Sequence, residues 1–150
     1  MLKNSVKIVV IILLALLLVN CGSDKKYVKA KINNKIYKFE LALTEDEKGL
    51  GLMFRKKLDP NGGMLFVYSY MTVMDFYMKN TLIPLDIAFI DGDFKIIDIQ
   101  SMNPLDETTV RSKKRCMYAL EVNRGFFDRV GVKEGDKIDF ITPIPYVTEL

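Results

Sequence analysis

The sequence predicts a mainly β protein: an antiparallel sandwich or partly closed barrel with one or two short helices, preceded by an N-terminal export segment. Three observations carry this. Apolar and polar residues alternate with period two through much of the chain after residue 26, which is the signature of half-buried strands. Asn-Asn and Asp-Gly-Asp separate the alternating runs as turn formers do. The long unbroken apolar run is confined to residues 8–19.

That first run follows Lys3 and Lys7 and covers 12 residues, Ile8 to Val19. A spanning helix needs roughly 18 or more, so a basic start and a short apolar core read as a secretory signal. The run ends in Leu18-Val19-Asn20-Cys21. This resembles the lipobox of bacterial lipoproteins, with Asn20 where Gly, Ala or Ser is usual. The resemblance implies that Cys21 is acylated and becomes the mature N-terminus, since several acyl chains together anchor stably. The expected organisation is a signal peptide over 1–20, a lipidated Cys and polar tether over 21–26, and a single domain over 27–150. The expected location is the cell envelope, with the protein lipid-anchored to the cell membrane or outer membrane.

The formal charge is +3 with no His, and removal of residues 1–20 takes Lys3 and Lys7 with it, leaving +1. That is no nucleic-acid footprint. The absence of His excludes imidazole acid–base catalysis and Ser-His-Asp triads. With Cys21 committed to lipid, Cys116 has no partner for an intrachain disulfide. The basic stretch Arg111-Ser112-Lys113-Lys114-Arg115 reads as a solvated loop, with anionic lipid headgroups as the alternative contact.

Within the domain, Val28, Ala30 and Ile32 alternate with Lys29 and Lys31. Asn33-Asn34 then turns the chain into Tyr37, Phe39, Leu41 and Leu43, which gives a first hairpin. Thr44-Glu45-Asp46-Glu47 is a capping box, opening a helix expected to run through Gly49 and Gly51 towards Phe54. Two glycines in so short a helix cost about 1 kcal/mol each, offset here by close packing on a strand. Met64–Tyr68 and Val73–Met78 are strand candidates. Leu85–Ile90, Asp91-Gly92-Asp93 and Phe94–Ile99 form a second hairpin. Tyr118–Val122 and Lys137–Ile141 complete the strands, and a second short helix covers Phe126–Val130, ending at Gly131.

Polar residues inside these apolar runs are the candidate site. Asp86 lies between Leu85 and Ile87, and Glu121 between Leu120 and Val122. An inward carboxylate must be paired or hydrogen-bonded, and Arg55 is a natural bidentate partner. Lys79-Asn80-Thr81 concentrates an ammonium, an amide and a hydroxyl at a strand end, or simply forms a turn, because Asn tolerates left-handed backbone.

Five motifs in order carry a family resemblance. Gly49-Leu50-Gly51-Leu52-Met53-Phe54-Arg55 looks like G-L-M-x-R, and Gly62-Gly63-Met64-Leu65-Phe66 like G-M-L-F. Met78-Lys79-Asn80-Thr81 with Pro84-Leu85-Asp86-Ile87 looks like M-K-N-T-x-x-P-L-D. Leu120 to Gly125 looks like L-E-V-x-x-G, and Gly135 to Ile138 like G-D-x-V. From about Val28 to Phe140 the chain resembles the family called domain of unknown function 192, with Tyr77 where the family usually shows Trp. The resemblance implies a mainly β fold, often exported, with no established activity.

Two functions from different classes follow. The first is a binding or accessory module, for a small polar ligand or an envelope protein, built from Arg55, Met78, Lys79, Asn80, Thr81, Asp86 and Glu121. The second is a hydrolase or lyase with Asp86 and Glu121 as base and acid and Lys79 stabilising negative charge, for which the carboxyls must lie within about 5 to 9.5 Å of each other. A third reading makes Arg55, Asp86 and Glu121 a buried structural network. No cofactor or metal is expected. The methionines read as core filling rather than Cu(I) ligands, and Asp91-Gly92-Asp93 as a turn rather than a calcium loop.

Overall fold

The computed structural model describes residues 26–147; the signal segment and Cys21 lie outside the described residues. The elements are β1 (Tyr27–Ile32), β2 (Lys35–Ala42), α1 (Glu45–Leu50), β3 (Gly63–Thr72), β4 (Asp75–Phe76), β5 (Leu85–Ile90), β6 (Ile96–Met102), β7 (Val110–Arg111), β8 (Cys116–Asn123), α2 (Phe126–Val130) and β9 (Asp139–Phe140). Seven strands in the order β6-β5-β8-β3-β2-β1-β9 form one curled sheet, a half-barrel, while β4 and β7 pair separately. Of the two shapes the sequence allows, the partly closed barrel is therefore realised. No helix among the described residues is long and apolar enough to cross a membrane.

The first hairpin forms as its sequence dictates. Asn33 and Asn34 both take positive φ, 46° and 64°, the pair of left-handed residues that a two-residue turn between twisted strands requires. The second turn is wider than Asp-Gly-Asp suggests. Asp91 Oδ1 accepts from the backbone N–H of Asp93 and of Lys95, both at 2.9 Å, and Phe94 rather than Gly92 takes the positive φ. The capping box is present: Thr44 Oγ1 accepts from Glu47 N at 3.2 Å, and Glu47 Oε2 accepts from Thr44 N at 3.0 Å. The backbone N–H groups of Thr44 and Leu43 hold the Glu47 carboxyl below the usual carboxylate range.

The helix ends at Leu50, four residues short of Phe54. Gly51 is its C-cap at φ 48°, and a Cβ there lies 3.2 Å from the Phe66 ring. Gly49, by contrast, has nothing within 4 Å of a Cβ, so close packing does not explain that glycine. The expected strand over Val73–Met78 shortens to Asp75–Phe76.

Alternation puts a core on each face of the sheet. Leu65, Val67, Ala88, Ile90, Leu120 and Val122 point to one face, against Phe126, Phe127 and Val130 of α2. Met64, Phe66, Leu85, Ile87, Phe89 and Ala119 point to the other, covered by Leu52, Phe76, Met78 and Ile83. Met64, Met74, Met78 and Met102 are all within this second core, where thioethers fill the irregular space under the short sheet and loops.

Residues 135–142 strap the two edges of the sheet together. Ile96 N donates to Asp136 O and Gly135 N to Ile96 O, both at 2.8 Å, and Ile138 N donates to Phe94 O at 3.0 Å. A few residues on, β9 pairs with β1, and Lys29 N donates to Thr142 Oγ1 at 2.8 Å.

Candidate functional site

Strand register decides which of the candidate residues can meet. Asp86 on β5 stands opposite Val122 on β8, and Glu121 stands opposite Ile87. Val122 belongs to the core under α2 and Ile87 to the core on the other face. The two carboxylates therefore point to opposite faces of the sheet. No cleft joins them, and the acid–base pair expected of Asp86 and Glu121 is not formed. Its third member, Lys79, is exposed on the turn after β4.

Asp86 is a structural residue. It is buried, accepts from Ser101 Oγ at 2.6 Å and from Gly125 N at 2.7 Å, and so fixes the turn from β8 into α2. The expected pairing of Arg55 with Asp86 is likewise absent, because Arg55 lies on the other face and forks onto Glu40, with Nη2 2.8 Å from Oε2. Asp86→Ala is expected to lower stability by about 2 kcal/mol, since Ser101 Oγ and Gly125 N both lose their partner. Urea denaturation reads this directly. An Asp86→Ala protein of unchanged stability would show that Asp86 does not hold the turn.

Met78 is in the core. Asn80 takes φ 54°, and its carbonyl accepts from Phe54 N at 2.8 Å, so it acts as a turn former. The basic stretch is tied up in ion pairs as well as solvated. Arg111 forks onto Asp75 at 2.6 and 2.7 Å, and Lys113 Nζ lies 2.8 Å from the buried Asp98 and 3.3 Å from Glu134. Cys116 is buried, and desolvation, with Asp91 and Asp98 nearby, pushes its thiol up to about 11. It is a packing residue at neutral pH.

Thr81 and Glu121 do come together. They line an open cleft of about 220 Å³ between α1, the loop after it, β3, β4 and the 77–81 segment. Its apolar surface comes from Leu52, Phe66 and Phe76, and its polar surface from Glu45, Lys48, Tyr68, Asp75, Tyr77, Thr81 and Glu121. One row of residues runs across the sheet beneath it: Glu40, Met64, Glu121 and Ile87, each opposite the next. Glu40 and Arg55 line a separate depression beside the cleft, and Arg55 acts on Glu121 through its charge alone.

The charges at the cleft pair off with one exception. Lys48 Nζ lies 2.8 Å from Glu45 Oε1 and 4.4 Å from the centroid of the Tyr68 ring. Asp75 is matched by Arg111, and that hydrogen bond holds its carboxyl low. Glu121 is only 5% exposed, and its carboxyl takes part in none of the side-chain hydrogen bonds found among the described residues. Desolvation pushes it up to about 8, against the weaker opposing pull of Arg55. At neutral pH it is thus mostly a neutral carboxylic acid, able to donate and to accept. Among the described residues, no three Cys, Asp or Glu side chains converge as a metal site requires.

Glu40, Glu45, Lys48, Tyr68 and Asp75 are site residues that the sequence does not single out, whereas Tyr77 stands out there only as the replacement for the family's Trp. Most are polar residues at ordinary solvent-facing positions of alternating runs or helix turns, and only the tertiary cover makes them line a cleft. The signal available in advance was Glu40, which occupies the same alternation phase as the inward Ala42.

The curled mixed sheet, strapped at its edges and covered on both faces, defines the chain as a small half-barrel β domain. The chain belongs to the DUF192 family, described as uncharacterised (Uncharacterized ACR), whose model matches residues 28–140. Solved structures similar to it include two bacterial proteins. One is a protein from Sinorhizobium meliloti 1021 with a provisional description as a transcription regulator, 32% identical, covering 77% of this chain and 93% of that one, with a TM-score of 0.71. The other is a protein of unknown function from Novosphingobium aromaticivorans DSM 12444, 34% identical, covering 81% of this chain and 89% of that one, with a TM-score of 0.70. No curated protein matches the chain.

Proposed function

We propose that this protein is an exported, lipid-anchored binding module whose β domain takes a small polar ligand in the cleft over Glu121. The observation that carries the binding role is Glu121 itself. The residue is more than nine-tenths buried, yet its carboxyl opens on a cleft that a ligand can enter and makes no side-chain hydrogen bond among the described residues, so a polar ligand group would find an unpaired partner there. A volume of about 220 Å³ is below the roughly 300–1,000 Å³ of drug-sized sites, which favours a small molecule or the end group of a larger one. The export and anchoring part rests on Lys3, Lys7, the apolar run and Cys21. Mass spectrometry of the native N-terminus tests it: a diacylated Cys21 is expected, and a retained, unmodified Met1 is the contrary result.

The binding role is tested by thermal-shift screening of the intact protein in a non-ionic detergent, against polyols, amino acids, amines and carboxylates. The control is Gly49→Phe. Gly49 lines the cleft and has open space around a Cβ, so the ring occludes the cleft without disturbing the core. At least one ligand class is expected to raise the melting temperature of the parent and to leave Gly49→Phe unmoved. Equal shifts in both proteins, or none in the parent, mean that the cleft is not a binding site.

The provisional description of the Sinorhizobium protein is not carried over as DNA binding. Arg111 and Lys113 are engaged by acids rather than ranged as a phosphate-contacting stripe.

A further inference from the structure

Resting on the binding role just proposed, we infer that the ligand presents an ammonium group, seated between the Glu121 carboxylate and the tyrosines of the cleft. Three carboxyls, Glu45, Asp75 and Glu121, stand around the cleft against a single lining cation, Lys48. Lys48 is neutralised by Glu45 at 2.8 Å, and Asp75 by Arg111 at 2.6 Å. Arg55, outside the lining, is held by Glu40. Glu121 is the lining carboxyl without a cation in contact, and it is more than nine-tenths buried. A ligand anion entering here meets a surplus of acid. A ligand cation completes the pairing.

The walls point the same way. Ammonium groups are attracted to the faces of tyrosine rings, and the protein already uses this geometry in the cleft: the Lys48 ammonium sits over the Tyr68 ring at 4.4 Å. A second ring, Tyr77, lines the cleft and is half exposed, so it is open to an incoming group. The apolar rings of Phe66 and Phe76 suit the methyl or methylene groups that flank an ammonium nitrogen.

Binding is coupled to a proton. The groups around Glu121 are Glu40 on β2, Arg55 on the loop after α1, Tyr68 on β3, Glu45 and Lys48 on α1, Asp75 on β4 and Tyr77 after it. Of these, Glu40, Glu45 and Asp75 have their cations in place. Glu121 is mostly protonated at pH 7, because burial raises it to about 8, whereas the cation favours the carboxylate. Seating the ammonium therefore ionises Glu121, and its proton goes to solvent. Release of up to one proton per cation bound is expected near neutral pH, and affinity is expected to rise with pH until Glu121 ionises without the ligand, at about 8.

The test uses the intact protein in non-ionic detergent and an unbuffered salt solution held by a pH-stat. Tetramethylammonium chloride is the probe, because it carries no titrating proton, and glycerol is the neutral comparison. Proton release with tetramethylammonium but not with glycerol is expected. It is expected to vanish in Glu121→Gln, with affinity down at least tenfold. In Tyr77→Leu, a change at an exposed position that the fold tolerates, affinity is expected to drop about threefold while proton release is kept. Glycerol binding that Gly49→Phe abolishes, with no response to tetramethylammonium, overturns the ammonium assignment and leaves the cleft as a site for neutral ligands. Tetramethylammonium binding that Gly49→Phe and Glu121→Gln both leave intact places the cation elsewhere and overturns this inference and the cleft's binding role together.

Discussion

Replacing Glu121 by Gln is expected to stabilise the ligand-free protein at neutral and alkaline pH relative to the parent. Burial raises the folded carboxyl from the ordinary value of 4.5 to about 8, so between those limits the folded state holds a proton that the unfolded chain has lost. The unfolded state binds fewer protons there, and stability therefore falls as pH rises from about 4.5 to about 8. Below that window both states are protonated and the difference disappears. Gln cannot ionise and removes the whole pH-dependent loss, on the order of 3–5 kcal/mol at pH 8. Urea midpoints for parent and Glu121→Gln at pH 4.5, 6 and 7.5 make the check. The curves are expected to diverge with pH, and parallel curves would mean that Glu121 titrates as an ordinary solvated acid.

The second large effect is expected at Gly63, the first residue of β3. A Cβ there would lie 2.5 Å from the carbonyl oxygen of Glu121, 2.8 Å from Val122 Cγ1 and 3.1 Å from the Phe39 ring. The first of these is backbone of the paired strand, so no side-chain rotation relieves it and β3 must move away from β8. Gly63→Ala is expected to cost about 3 kcal/mol or more and to lower the melting temperature by about 10 °C. Gly49→Ala is the matched control: it meets open space and gains helix propensity of up to about 1 kcal/mol. Calorimetry separates the two, and a Gly63→Ala protein that melts with the parent would refute the close approach. Because Gly63 abuts Glu121, the same change also displaces the cleft floor.

Much of the local structure was legible in the sequence. Asn33-Asn34, Thr44 with Glu47, and the Phe126–Val130 segment ending at Gly131 each specify their own backbone within a few residues, and each forms as expected. The strand order was not legible. β2 pairs with β3 in parallel across α1, and no residue pattern in either strand states that choice. The site suffered for the same reason. Asp86 and Glu121 look equivalent, each a single acid inside an apolar strand, and only the register that places Asp86 opposite Val122 sends them to different faces. Arg55 was correctly seen as a carboxylate partner, but its true mate, Glu40, sits in an alternating run where an acid reads as solvent-facing. Glu121 stood out because an acid among Leu120 and Val122 conflicts with its surroundings, and such local conflicts are where function is to be sought.

The strap formed by residues 135–142 bears on how the protein behaves in a crowd. Open sheets end in rows of unsatisfied amides and carbonyls that recruit the edge of a neighbouring molecule. Here Asp136, Gly135 and Ile138 engage Ile96 and Phe94 on one side, and β9 engages β1 on the other. Backbone groups at Phe94, Ile96, Ala30 and Lys31 are thus spent within the molecule and withheld from a neighbouring strand, which shortens the free edge at both ends of the sheet.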